Sequence, residues 1–274
     1  MGRLRTFTNI TFTTSGLPKL APLSPSGVLG ANLVGWWSAD QLVSSSANRV
    51  SAWGDQSPVG SSLVQSVSAD QMLLVAGAQN GLPGIKNDTP GSSGRWIESA
   101  ATITQMQFEY NQPFSVALTS ICAASRQSYE LALGQATSTA PEGWWLDSGS
   151  TESGGKMGLW LVHTLSVNAL GATSPDSLTS GQAYSYIFTY DGSGGAGGIS
   201  VYRNGESQTP TVVANNLDAD TLVASGQKAF LSGYQAGNSS GHTILEAFVA
   251  NRVITATEAS GLDFYLNAKW SIHS

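Results

Sequence analysis

The chain is poor in charged residues, in cysteine and in long apolar runs. Only 11% of its 274 residues are Asp, Glu, Lys or Arg, against roughly 25% in typical soluble domains. Cys122 is the only cysteine, so no disulfide within the chain can form and packing has to stabilise the fold. No stretch approaches the ~20 apolar residues of a membrane-spanning helix. Insertion into a membrane is therefore not expected.

Clusters of Lys and Arg are also missing. The chain has a net charge of −6 and a pI near 4.9. Proteins that bind nucleic acid or anionic membranes need grouped basic side chains to neutralise phosphate. The sequence therefore predicts no nucleic-acid partner.

The first residues do not resemble a secretory signal peptide. Arg3 and Arg5 are basic, but Thr and Asn follow them instead of an apolar core segment. We therefore expect synthesis in the cytoplasm without export by the secretory route.

Short β-branched and aromatic runs fill most of the chain, separated by clusters of Gly, Ser, Asn and Asp. This spacing is typical of a β-sandwich. Asn204-Gly205 follows one run and predicts a type I′ hairpin turn, because both positions tolerate positive φ. The predicted strands cover residues 33–37, 96–99, 114–123, 129–134, 143–147, 157–163, 184–190, 199–203, 228–233 and 243–250.

One segment has helical periodicity. Thr255 and Glu258 have the spacing of a capping box, and an apolar side chain recurs at helical intervals after them, ending at Trp270. Lys269 suits the negative end of the helix dipole. The pattern predicts a short C-terminal helix that packs one apolar face on the sandwich.

Residues 1–27 differ from the rest of the chain. Residues 6–14 are Thr-rich and indicate a strand, whereas the prolines at 18, 22 and 25 indicate an extended linker. This segment carries a charge of +3 and the remainder carries −9. We therefore divide the chain into an extended N-terminal arm, residues 1–27, and one domain, residues 28–274.

Five segments taken in order resemble one known family. The resemblance covers about residues 30–272, and it is to the laminin-G-like jelly roll of the concanavalin A-like superfamily. The segments are Leu33-Val-Gly-Trp36-Trp37-Ser-Ala-Asp40, Arg49-Val-Ser-Ala-Trp53-Gly-Asp55-Gln-Ser57, Pro113-Phe-Ser-Val-Ala-Leu, Tyr186-Ile-Phe-Thr-Tyr190-Asp-Gly with Ile199-Ser-Val-Tyr202-Arg-Asn204-Gly205, and Glu246-Ala-Phe-Val-Ala-Asn251-Arg-Val-Ile-Thr-Ala-Thr-Glu258 with Tyr265-Leu-Asn-Ala-Lys269-Trp270.

The resemblance implies an all-β antiparallel jelly-roll sandwich, of the form found on bacteriophage structural proteins and bacterial surface proteins. Related jelly rolls often hold calcium through Asp, Asn and backbone oxygens at the rim. The candidate ligands are Asp147, Asp191 and Asn204, although Asp and Asn are also common turn formers. No other cofactor is expected.

A sugar-binding site commonly uses an exposed aromatic ring. Trp144 and Trp145 are adjacent in a predicted strand, so their side chains point to opposite faces. We expect one of them in the core and the other exposed as a possible glycan contact.

No catalytic residues are predicted. Glycoside hydrolases with this fold resemble one another in an acidic strand motif, Glu-x-Asp-x-x-Glu. No strand of the chain has that spacing of acids. Glu246 stands alone on its strand. An enzyme would be favoured only if Glu246 or Asp147 faced a second carboxylate in a cleft.

Two functions follow. The first is a non-catalytic virion structural protein of a bacteriophage, a capsid decoration, head fibre or tail appendage made in the host cytoplasm. Its arm would pair with other virion proteins, and it would form a homo-oligomer in the assembly. The alternative is a carbohydrate-binding module that attaches to cell-surface or environmental glycans. The predicted contacts of the arm are Arg3, Arg5, Phe7, Ile10 and Phe12.

Overall fold

The computed structural model describes residues 24–89, 95–123, 129–137, 140–148, 155–164, 167–219, 227–232 and 241–274. Within these ranges the chain forms eighteen strands and two α-helices, and every strand pair is antiparallel. None of the helices there has the length and apolarity to span a membrane. The strands are β1 (Leu33–Ser38), β2 (Val43–Ser46), β3 (Arg49–Trp53), β4 (Leu63–Val64), β5 (Leu73–Gln79), β6 (Leu82–Lys86), β7 (Ile97–Ser99), β8 (Phe114–Ile121), β9 (Tyr129–Thr137), β10 (Ala140–Asp147), β11 (Lys156–Thr164), β12 (Asn168–Ser177), β13 (Ala183–Tyr190), β14 (Ile199–Arg203), β15 (Glu206–Gln208), β16 (Thr211–Asn215), β17 (Ala229–Leu231) and β18 (Thr243–Ala250).

The strands form two layers. Sheet I has the order β15-β14-β13-β8-β18, and β18 continues to β1 along one half and to β6 along the other. Sheet II has the order β16-β12-β11-β10-β9-β17-β7-β4-β3-β2. The β5–β6 hairpin joins the two sheets, because β5 also pairs with β3. The predicted antiparallel β-sandwich is confirmed.

One large apolar core lies between the sheets. Alternate residues of each strand point inward, so Phe114 of β8 meets Trp144 of β10 with ring centroids 5.5 Å apart. Trp37 and Trp53 are fully buried in the same core.

The predicted C-terminal helix is confirmed as α2 (Ala256–Trp270). Thr255 caps it, and Glu258 completes the capping box by accepting from the Thr255 backbone N–H at 2.9 Å. Arg252 then makes a two-pronged ion pair with Glu258. Trp270 is fully buried, and its indole N–H donates to Glu246 of β18 at 2.9 Å. The helix therefore covers the outer face of sheet I at β18.

The predicted linker is partly helical. Helix α1 (Pro25–Leu29) begins after Ser24, whose hydroxyl accepts from the Gly27 backbone N–H. Leu29 is buried in the main core. Pro25 suits this first turn because its missing N–H would have no partner inside the helix. The prediction of an extended chain is therefore wrong for Pro25–Gly27.

The predicted hairpin turn is confirmed. Asn204 and Gly205 have φ of 50° and 77° and join β14 to β15, with Arg203 opposite Glu206. Asn204 also receives a hydrogen bond from the Ser185 backbone N–H on its side-chain oxygen. That bond fastens the turn to β13.

Candidate functional site

Trp144 and Trp145 point to opposite faces of sheet II, as expected, but the prediction of an exposed ring is wrong. Trp144 is 0% exposed and Trp145 is 3% exposed. Trp145 packs with Trp160 in a second apolar cluster on the outer face of sheet II, where the two residues lie directly opposite each other on β10 and β11. Sequence alternation separates the two faces of a strand, but it does not show that both faces are covered.

Trp144 instead supports the loop that connects β7 to β8. Its indole N–H donates to the Met106 carbonyl at 2.9 Å. The Tyr190 hydroxyl donates to the Tyr110 carbonyl in the same loop at 2.5 Å. Burial raises the pKa of Tyr190. Hydrogen bonds from the core side chains of Trp144 and Tyr190 therefore hold the backbone of this loop in place.

The loop forms one wall of an open depression with a volume of about 350 Å³. Phe108, one of its lining residues, is 4% exposed and stacks on Phe114 with centroids 4.5 Å apart. Asn251, directly after β18, also lines it. We call this feature the amide-lined depression, and its lining residues are Thr104, Gln105, Gln107, Phe108, Gln112, Pro113 and Asn251.

The chemistry of the amide-lined depression is polar and uncharged. None of its lining residues is ionisable, and four of them have side-chain amides. An amide offers both a donor and an acceptor. Gln112 already accepts from the Glu109 backbone N–H, and Gln105 accepts from the Thr104 hydroxyl. These contacts engage the amide oxygens of Gln105 and Gln112 and leave their amide N–H groups as donors.

Sequence reasoning missed this site, although a signal was present. Residues 104–113 contain three glutamines within eight positions, at 105, 107 and 112. Asn251 lies far away in the sequence, and the pairing of β18 with β8 brings it beside the loop. The glutamines of the loop can be recognised in the sequence. The position of Asn251 beside them depends on the fold.

The candidate calcium ligands do not converge. Asp191 and Asn204 lie at opposite ends of the β13–β14 pair, roughly 20 Å apart along the strands at 3.3 Å per residue. Asp191 accepts from the Ser193 backbone N–H, and the Asn204 oxygen is engaged by Ser185. Asp147 is buried at the end of β10 in sheet II. Among the described residues no cluster of three or more His, Cys, Asp or Glu side chains could hold a metal ion.

Glu246 has a second carboxylate nearby, but within a saturated network rather than a cleft. The Lys269 ammonium lies 2.8 Å from Asp40 and 3.1 Å from Glu246. Burial acts to raise the pKa of Asp40, but hydrogen bonds from Lys269 and Ser38 outweigh it and hold the pKa below its usual value. Glu246 accepts further hydrogen bonds from Trp36, Tyr265 and Trp270, and the Ser38 hydroxyl that donates to Asp40 lies 3.1 Å from it. This arrangement fastens α2 to sheet I.

A buried Ser–His–Glu cluster was also missed by sequence reasoning. Ser148, Glu130 and His242 are all 0% exposed. Ser148 donates to the Glu130 carboxylate and lies 3.4 Å from His242 Nε2. A nucleophilic serine would instead give its proton to the histidine. The residues lie 18 and 94 positions from Ser148, so only the fold brings them together.

The predicted contacts of the arm, Arg3, Arg5, Phe7, Ile10 and Phe12, lie outside the described residues. Their role stays a prediction.

No protein family and no curated protein matches the chain. Solved structures do. The binding domain of botulinum neurotoxin serotype G has a TM-score of 0.59 at 14% identity, covering 86% of this chain and 52% of that one. Domain 4 of AbnA, an extracellular arabinanase of Geobacillus stearothermophilus solved with arabinotriose, has a TM-score of 0.52 at 15% identity, covering 85% of this chain and 98% of that one.

A Trypanosoma rangeli sialidase in complex with sialic acid is similar over 90% of this chain, with a TM-score of 0.53 at 17% identity. This chain spans 35% of that sialidase and about half of the toxin domain. At these identities the likeness shows the fold alone. It confirms the β-sandwich, and a link to bacteriophages stays a prediction.

Proposed function

We propose that this chain is a non-catalytic carbohydrate-binding module that holds a neutral saccharide in the amide-lined depression. The observation that supports it is an accessible depression of about 350 Å³ whose lining contains amides and a hydroxyl but no charge. Small-ligand sites of this size with a few polar groups that fix orientation are typical of binding proteins. Among the solved structures of this fold is an arabinanase domain with arabinotriose, which agrees with the proposal.

The ligand is expected to bind weakly. Phe108 is buried, so little aromatic surface in the depression is open to stack against a sugar ring. Hydrogen bonds formed in competition with water contribute little net affinity. We therefore expect dissociation constants that are roughly millimolar. A negatively charged sugar would gain no ion pair from the lining residues.

Nuclear magnetic resonance tests the proposal directly, because side-chain amides give separate ¹H–¹⁵N signals. Titration with neutral oligosaccharides such as arabinotriose should shift the side-chain signals of Gln105, Gln107 and Asn251. The double variant Gln107→Ala/Asn251→Ala should lose these shifts, while Gln208→Ala on β15 should keep them. If a broad panel of neutral saccharides moves no amide signal of the lining, the proposal is wrong.

Display of this module on a virion, through residues 1–27, is a second proposal that rests on the sequence. Removing residues 1–23 should abolish incorporation into particles and leave saccharide binding intact. Incorporation of the shortened chain at normal levels would refute the anchoring role.

A further inference from the structure

Strand β16 is an exposed edge of sheet II. It pairs with β12 on one side, and no described residue pairs with its other side. We call that side the open edge of β16. The strand is Thr-Val-Val-Ala-Asn and has no charged residue. Natural edge strands are protected by charged side chains, by proline or by bulges. β16 has no charge and no proline, so its protection is limited to the bulge at Val213.

The same edge carries a patch of exposed apolar side chains. Val212 and Val213 are 52% and 39% exposed. Val167 is 69% exposed but lies in the turn between β11 and β12, about 16 Å along β12 from Ala172, the partner of Val212, so it is not part of this edge. Val212 and Val213 are two of the six large exposed hydrophobic side chains in the described part of the chain. Exposed patches of this kind mark interaction sites.

The local geometry disfavours pairing of β16 with β16 of a second copy. Ala172 pairs with Val212 and Gly171 with Ala214, so Val213 is an extra residue in β16. Such a bulge bends the strand and increases its twist. Two bulged β16 strands cannot form a regular ladder of hydrogen bonds with each other. A segment that is not part of a sheet can adopt the twist of β16 when it pairs with it.

The chain itself contains a segment of suitable composition. Residues 6–14 are Thr-Phe-Thr-Asn-Ile-Thr-Phe-Thr-Thr, which is uncharged and rich in residues with high strand propensity. The arm carries +3 and the remainder −9, so the arm of one copy is attracted to the body of another. Residues 15–23 span up to about 30 Å when extended. That reach allows the donor segment to leave its own domain.

We propose that residues 6–14 of one copy add a strand to the open edge of β16 in a neighbouring copy. Phe7, Ile10 and Phe12 supply the apolar side chains that cover Val212 and Val213. Each copy offers one donor and one acceptor, so the contact generates exchanged dimers, closed rings or open filaments. The inference concerns assembly and does not depend on saccharide binding.

Sedimentation of the full chain tests this assembly. We expect an oligomer at low salt that weakens when ionic strength rises toward about 1 M, because screening removes the attraction between arm and body. Val212→Lys/Val213→Lys should give a monomer, since charge blocks strand addition. Ile10→Pro should give the same result from the donor side, because Pro removes a strand donor. Leu42→Lys, at a side chain that is 63% exposed on another surface, should leave the oligomer unchanged.

A monomeric wild-type chain at all salt concentrations would overturn the proposal. So would an oligomer that persists in both strand-blocking variants. Association that strengthens with salt and survives Ile10→Pro would show that apolar surfaces pair without the arm, which also overturns it.

Cross-linking between copies identifies the partners directly. Protein with Thr11→Cys is mixed with protein carrying Val213→Cys and treated with a short bismaleimide. Native Cys122 is buried and gives a low background. A mixed dimer should form with Val213→Cys and not with Leu42→Cys. Equal yields in the two mixtures would refute pairing at β16.

Discussion

Trp160 on the outer face of sheet II depends on a glycine beneath it. Its ring lies over Gly171 on β12, so a Cβ placed on Gly171 would fall 2.5 Å from the ring. The indole is 3% exposed and packs with Trp145 in the outer cluster. A side chain at position 171 would therefore displace the ring on which that cluster is built.

Gly171→Ala is expected to destabilise the protein by about 1–3 kcal/mol, the usual cost of overpacking. The matched control is Gly197→Ala, where an added Cβ has no heavy atom within 4 Å. Urea unfolding followed by tryptophan fluorescence measures both variants. If the two variants have equal midpoints, Trp160 does not need the space above Gly171.

Residue patterns predicted which face of the strand Trp144 and Trp145 occupy. They did not predict the burial of these side chains or the position of Asn251. Trp144 and Trp145 were assigned to opposite faces correctly, because strand alternation is a local property. Their burial depends on what covers each face of the sheet, and a strand pattern does not contain that information. Likewise, Asn251 joins the amide-lined depression only through the pairing of β8 with β18.

At the scale of elements, the capping box of α2 joins the helix to the end of β18. The ion pair from Arg252 holds the pKa of Glu258 at about 2, against an ordinary value of 4.5, despite partial burial that acts in the opposite direction. The folded pKa is therefore below the unfolded one. The resulting stability is fully present above pH 4.5 and is lost as pH falls through about 2.

Glu258→Gln should reduce stability at pH 7 and flatten its decline between pH 4.5 and 2. The control is Glu206→Gln on β15, an exposed position outside the capping box. Urea midpoints measured across this pH range provide the comparison. A Glu258→Gln curve parallel to that of the wild type would contradict the assignment.

Elements with strong local patterns were predicted well. β8, β13 and β18 are rich in β-branched and aromatic residues, and their predicted positions agree with the structure to within two residues. The predicted strands do not include β2, β3, β4, β5, β6, β12, β15 and β16. β2 is mostly serine, and β12 is built largely from small residues with Pro175 near its end. Such strands form because neighbouring strands pair with them, which a local pattern does not reveal.

At the scale of the whole molecule, two of the three candidate calcium ligands lie far apart on the described part of the sandwich. Asp191 and Asn204 are at opposite ends of one strand pair, and backbone N–H groups already engage their oxygens. Binding of calcium to the folded state would raise the unfolding temperature. We therefore expect the unfolding temperature in millimolar calcium to equal that in EDTA.

Differential scanning fluorimetry checks this expectation, with magnesium as the matched control ion. A rise of more than about 4 °C with calcium alone would correspond to roughly 1 kcal/mol or more of linked binding and would contradict it.

β18 is the last strand in the chain and lies between β8 and the strands β1 and β6. All eight of its residues are buried. During synthesis on the ribosome, sheet I therefore has a gap at its centre until residues 243–250 emerge. Non-local pairing of this kind slows folding and leaves strand edges open to aggregation. Nascent chains that stall before β18 should consequently depend on chaperones.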